Sequence, residues 1–213
     1  MTTPRPVGRP RNPKITEAVL LAAVQVYVEV GWSGFHFDAI ARRAGVGKSA
    51  LYRRWSTAED LLIDAIHTVD AQSLLRDAST VAEALSRMVN NSLNWWAGGS
   101  GHAYIRMQID QVEYPFLRDL YRERVTIPLV AAMTDVVARG IATGELPPGT
   151  SATLLIECLS GATMIRMAAL AKPLKNRERY VSDLVAFLLG GMTGARPEQP
   201  GARRATASVS RPA

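Results

Sequence analysis

Apolar residues recur three and four positions apart along most of the chain, the spacing that gives a helix one buried face. Ile15, Val19, Ala22, Ala23, Val26, Tyr27 and Val30 form such a face. The helix they predict starts at Asn12-Pro13, where an amide can cap and a fixed φ suits the first turn, and stops at Gly31. Trp32, Phe35 and Phe37 are expected to close a small core shared with two shorter helices. The first has Ile40, Ala41 and Ala44 as its stripe, Gly45 lets the chain bend sharply, and Val46 plugs the angle. Leu51 and Trp55, four apart, turn the second inward. Thr57 and Asp60 then make an approximate capping box for a helix with Leu61, Leu62, Ala65, Ile66 and Val69 along one side.

From residue 79 onward the pattern stays helical, with helices expected near 79–97, 102–112, 115–141, 151–171 and 176–191. Breaks fall at Gly98-Gly-Ser-Gly101, Pro115, Gly144 to Gly149 and Pro173. Pro128 is expected to kink or divide its helix. The chain therefore reads as all-α: a disordered basic arm at 1–12, a three-helix helix-turn-helix domain at 13–57, a larger helical domain at 58–195 and a disordered tail at 196–213.

Charge turns this outline towards a function. Residues 1–56 hold nine Lys/Arg against three Asp/Glu, so the whole formal excess of +6 lies with the helix-turn-helix. A membrane surface would also attract such a patch. No apolar run reads as long enough to span a bilayer, however, and the N-terminus has no signal-peptide core, which favours a cytoplasmic protein without a membrane partner. The single cysteine, Cys158, excludes an internal disulfide and reads as a small core residue.

On a helical wheel with Leu51 and Trp55 facing the core, Ser49, Ala50 and Arg53 point away from it and are candidates for base edges. Lys48 and Tyr52 on one flank and Arg54 on the other are placed to hold phosphates. Arg9 and Arg11 either enter a narrow minor groove or belong to a solvated tail, and four residues leave both readings open. Gly45-Val-Gly-Lys-Ser49 also looks like the end of a phosphate-binding loop, but that pattern needs a glycine where Arg42 stands and a preceding strand. Asp60, Asp64 and His67 share a helix face at a spacing more typical of a solvated surface than of a metal site, and neither metal nor cofactor is expected. An enzyme is the alternative from a different class. Three widely spaced histidines, no paired carboxylates and no nucleophile motif speak against it.

The runs Ile40-Ala-Arg-Arg-Ala-Gly-Val46, Leu51-Tyr-Arg-Arg-Trp55 and Glu59-Asp-Leu-Leu62 resemble the tetracycline-repressor-like (TetR) transcription regulators over about the first third of the chain. Pro115-Phe-Leu-Arg-Asp-Leu-Tyr121 and Gly144-Glu-Leu-Pro147 are a weaker echo of that family's C-terminal domain. The resemblance implies a three-helix DNA head, a helical body enclosing a small-molecule cavity, and a homodimer that pairs its last two long helices. By position it places His36, Arg42, Lys48, Ser49, Ala50, Tyr52 and Arg53 at DNA. His36 stands where a threonine often caps, Gly47 replaces a hydroxyl cap and Ala58 replaces a lysine. Arg54 and the N-terminal arm are candidates to compensate.

Trp95, Trp96, Tyr104 and Met107 around the glycine break, with Met133, Met164 and Met167 on later helices, are candidates for an effector pocket. His102, Arg106 and Arg166 are its candidate polar anchors. Leu155, Cys158, Leu159, Ala162 and Ile165, with Val181, Leu184, Val185 and Leu188, are either ordinary core or a dimer interface, and the resemblance favours the interface. The expectation is a ligand-responsive repressor that binds an inverted-repeat double-stranded DNA operator as a dimer and is released by a small, largely apolar effector. A DNA-binding protein without any ligand is the remaining reading.

Overall fold

The computed structural model describes residues 13–67, 70–169 and 174–193, with helices and no strand among them. Helices α1 (Pro13–Val30), α2 (Phe37–Ala44) and α3 (Lys48–Tyr52) form the head, and α4 (Ala58–Ile66) leads out of it. The body holds α5 (Ala71–Leu75), α6 (Val81–Ala97), α7 (Ser100–Asp110), α8 (Phe116–Tyr121), α9 (Ile127–Ala142), α10 (Ala152–Met164) and α11 (Arg177–Thr193).

Helix α1 buries Val19, Ala22, Ala23, Val26 and Tyr27, but Val30 is exposed, because the chain turns at Gly31 and leaves it against Gly34 at the rim. Gly31 has φ +66°, and a Cβ added there would fall on the Arg106 guanidinium. The next residue is tied to the body, since the Trp32 backbone N–H donates to Asp110 Oδ2 at 2.8 Å while Arg106 Nε donates to Asp110 Oδ1 at 3.0 Å. Gly31→Ala is therefore expected to lose about 1–2 kcal/mol in urea denaturation, from the left-handed backbone and the displaced arginine together. Arg106→Ala in the same chain should recover part of that loss.

The core of the head is not closed by three helices alone. Phe35, Leu51, Trp55, Leu61, Leu62 and Ile66 share one buried cluster with Ala103 and Met107 of α7 and Leu117 of α8. By packing, α4 belongs to the head while its last residue reaches the body. A second cluster joins Leu75, Leu85, Val89, Met133, Val136, Leu155, Leu159, Val181 and Val185.

Several expectations are corrected here. Helix α5 is an addition, too short for a period to show, and Asp70 caps it by accepting from the Ser73 backbone N–H. Only Gly98 and Gly99 break the chain between α6 and α7, whereas Gly101 is buried in α7 against the Trp96 ring. Pro128 neither stops nor divides its helix, because a π-helical turn at Arg122–Thr126 makes room for its ring and its missing N–H. Phe116–Ala142 thus runs unbroken, and both it and Ala152–Ala169 are long and apolar enough to cross a membrane, against the expectation from the sequence. The first packs between α5, α6 and α10. Of the second's apolar window only 17% is buried, which leaves an outward face.

Candidate nucleic-acid interface and effector cavity

The head presents its chemistry around Gly45, whose left-handed φ of +67° turns α2 into α3. The Val46 N–H donates to Ala41 O at 3.0 Å and closes the turn. His36 and Gly47 stand at the N-caps of α2 and α3, and neither supplies a side-chain cap. His36, Arg42, Lys48, Ser49, Tyr52 and Arg53 are all exposed. Lys48 pairs with Asp38, and the Tyr52 ring leans on Phe37 with 4.8 Å between centroids. Arg42 and Arg53 form no ion pair with any described residue.

Two members of the expected reading surface belong elsewhere. Ala50 is 8% exposed, so it lies on a buried flank of α3 rather than opposite the core. Arg54 folds back along the helix, its Nη1 donating to Ala50 O at 2.8 Å and its Nε to Thr16 Oγ1 at 3.2 Å. It fastens α3 to α1 instead of reaching outward. Arg9 and Arg11 lie outside the described residues. The spacing gave no sign of the Trp55 Nε1 donor to Asp64 Oδ2 at 2.8 Å, which ties the end of the reading segment to α4. With Asp60 beside Arg124 at 3.5 Å, both carboxylates of the supposed metal face have partners.

The body holds a partly open cavity of about 420 Å³ lined from the end of α4 through α10. Of the expected pocket residues, Trp95, Trp96, Tyr104 and Met164 line it. Met107 and Met133 are fully buried core, one in each cluster, and Met167 packs on the second. Arg106 is committed to Asp110, Arg166 lies over the Tyr180 ring at 5.3 Å, and His102 is exposed beside Trp96. None of these six lines the cavity. Tyr121, Glu157 and His67 do, although the sequence reading passed over them as lining. Burial pushes the Tyr104 and Tyr121 hydroxyls up, so they stay protonated. Burial also holds His67 below the usual histidine range, against the opposing pulls of Asp70 and Asp64.

The cavity wall packs on the head through Trp95, Tyr104 and Tyr121, and a hydrogen bond ties it to α4. Trp95 Nε1 donates to Ile66 O, the last carbonyl of α4, at 2.6 Å.

The dimer candidates divide by face. Leu155, Leu159, Val181, Val185 and Leu188 point into their own chain's core, which corrects their assignment to an interface. The inward stripe is the more regular one, and periodicity alone picked it. Leu184 and Ala162 are half-buried, while Cys158 and Ile165 are exposed, so Cys158 is no core residue. Leu154 and Phe187, not singled out from the sequence, stand 57% and 77% exposed.

Comparison with known proteins agrees with both halves. Residues 19–65 match the model for bacterial regulatory proteins of the tetR family, and residues 75–188 match the tetracyclin repressor-like C-terminal domain. The HTH-type transcriptional regulator AqdR of Rhodococcus erythropolis is 30% identical over 176 residues, 78% of this chain and 81% of that one. The uncharacterized HTH-type regulator YdeS of Bacillus subtilis is 26% identical, covering 87% and 93%. Among solved structures, a putative TetR-family regulator from Rhodococcus sp. superposes with a TM-score of 0.63 at 19% identity, covering 84% of this chain and 97% of that one. FadR from Bacillus subtilis in complex with stearoyl-CoA gives 0.61 at 21%, covering 84% and 99%.

Proposed function

Because the chain belongs to the TetR family of transcriptional regulators, we propose that it acts in the cytoplasm as a dimeric repressor on an inverted-repeat operator and is released by an effector in the body cavity. The observation that carries the reading is the exposed set Arg42, Ser49 and Arg53 around the Gly45 turn, within the N-terminal segment 1–56 that holds all the net positive charge. A base-reading side chain must be free to leave its own surface, and the two arginines have no competing carboxylate among the described residues. Lys48, Tyr52 and His36 flank them as phosphate contacts. Two such faces in a symmetric dimer favour an inverted repeat.

A DNA-binding protein without a ligand has no use for open space in its body, and the cavity argues against that reading. That the FadR neighbour holds stearoyl-CoA supports an effector site within this fold. AqdR and YdeS are both described as HTH-type transcriptional regulators, which supports a regulator over an enzyme.

Selection of bound sequences from random DNA tests the proposal. An enriched inverted repeat is expected, and a pool without enrichment would overturn it. On that operator, Arg53→Ala is expected to relax preference at one base position by about 1–3 kcal/mol. Competition binding against operator variants checks this. Equal weakening on every variant would reduce Arg53 to a phosphate contact.

A further inference from the structure

The regulator reading leaves the effector's chemistry open, and the lining of the cavity narrows it; this inference rests on that reading of the site. Four rings form one connected wall. Trp96 meets Trp95 edge-on with 5.3 Å between centroids, Trp95 lies 5.7 Å from Tyr104, and Tyr104 lies 5.0 Å from Tyr121. All four line the same cavity. An aromatic face is the negative part of the ring's quadrupole, and it attracts a cation held within about 6 Å of the centroid.

Charge along the rest of the lining has the same sign. Glu157 lines the cavity from α10, remains exposed, and makes no ion pair with a described residue. No lysine or arginine lines it among the described residues. His67 is the only basic side chain there, and with burial holding its pKa down it is neutral near pH 7. A carboxylate or phosphate brought into this space would face π surfaces and a like charge, with no guanidinium or ammonium group to receive it.

We propose that the effector is a lipophilic aromatic cation, held against the wall of Trp95, Trp96, Tyr104 and Tyr121 with its charge facing Glu157. The apolar remainder of the lining supplies affinity through burial and is indifferent to charge. The rings and the carboxylate supply the choice of sign.

Tetraphenylphosphonium and tetraphenylborate have nearly the same shape and opposite charge, and they test this on the full-length protein without DNA. Calorimetric titration and melting curves should show the phosphonium binding and raising the melting temperature, and the borate binding about tenfold more weakly or worse. Glu157→Gln should weaken the phosphonium by about tenfold and leave neutral triphenylphosphine oxide unchanged. Borate binding as tight as the phosphonium, an unchanged phosphonium affinity in Glu157→Gln, or no binding by either ion would each overturn the proposal. The operator selection is independent of it. Phosphonium binding with no enriched sequence would overturn the regulator reading and leave the cavity's preference standing, whereas an enriched operator without a cation preference would do the reverse.

Discussion

Replacing Leu154 and Phe187 together by aspartate is expected to leave the protein monomeric and to lower its affinity for an inverted-repeat operator by roughly 100-fold or more, since each head then binds alone. Both side chains are more than half exposed, on faces of α10 and α11 turned away from Leu155, Leu159, Val181 and Val185. Large apolar side chains gathered on a surface mark an interaction site. Ile165 adds to the same helix at 50% exposure, and the apolar window of α10 and its π-helical extension is almost unburied. At Gly190 and Gly191 nothing lies within 4 Å of where a Cβ would stand, so a second backbone can approach closely. Because no buried group changes, the double variant should keep its helical circular dichroism and most of its melting temperature. Light scattering at micromolar concentration reads the mass, and fluorescence anisotropy on labelled operator reads the affinity. A dimeric mass in the variant would place the interface elsewhere.

The same two helices show where reading the sequence stops. Periodicity finds α10 and α11 and finds a stripe on each, but an apolar stripe is the same signal whether it packs on its own chain or on another. Most of the residues chosen from it, Leu155, Leu159, Val181, Val185 and Leu188, are those of the internal core. The outer face was legible only once the inward one had been placed, because Leu154 and Phe187 interrupt the regular spacing instead of forming it. In the head the limit is different. Gly45, Leu51 and Trp55 located the turn and the inward side of the second helix, since a left-handed glycine and an i, i+4 pair are local constraints. A wheel treats α3 as a long isolated helix, however, and it is five residues with α1 on its flank. Thr16 of α1 draws Arg54 inward, and Ala50 is buried. Methionines misled for a third reason. Met107 and Met133 suit a pliable pocket and equally suit a core gap, and both fill core. Tyr121 joins the cavity because α8 packs on α7, a long-range contact that no local pattern carries.

Trp95→Phe is expected to keep ligand binding and to lose most of its consequence for DNA. Trp95 stands in the cavity wall with its indole N–H on Ile66 O, where α4 ends. The next residue, His67, caps α4 and lines the cavity as well. From there α4 carries Leu61, Leu62 and Ile66 into the core of the head and holds Trp55 through Asp64. An occupant that shifts the Trp95 ring therefore pulls on the helix that positions α3. Phenylalanine retains a ring for the ligand and removes the donor, so the free protein should lose only about 1 kcal/mol of stability. Coupling between effector and operator is a free energy, typically about 1–3 kcal/mol, and it is the same whichever ligand is added first. Operator affinity measured with and without tetraphenylphosphonium, and phosphonium affinity measured with and without operator, should change by one common factor in the wild type. In Trp95→Phe that factor should fall towards unity, by about fivefold or more, while phosphonium binding to the DNA-free protein by calorimetry stays within about threefold. An undiminished factor would show that the signal bypasses the Ile66 carbonyl. A second path from the cavity runs through Thr126 and Val125 to the neighbouring Arg124, which faces Asp60 on α4 at 3.5 Å, and Arg124→Ala tests whether that path carries the coupling.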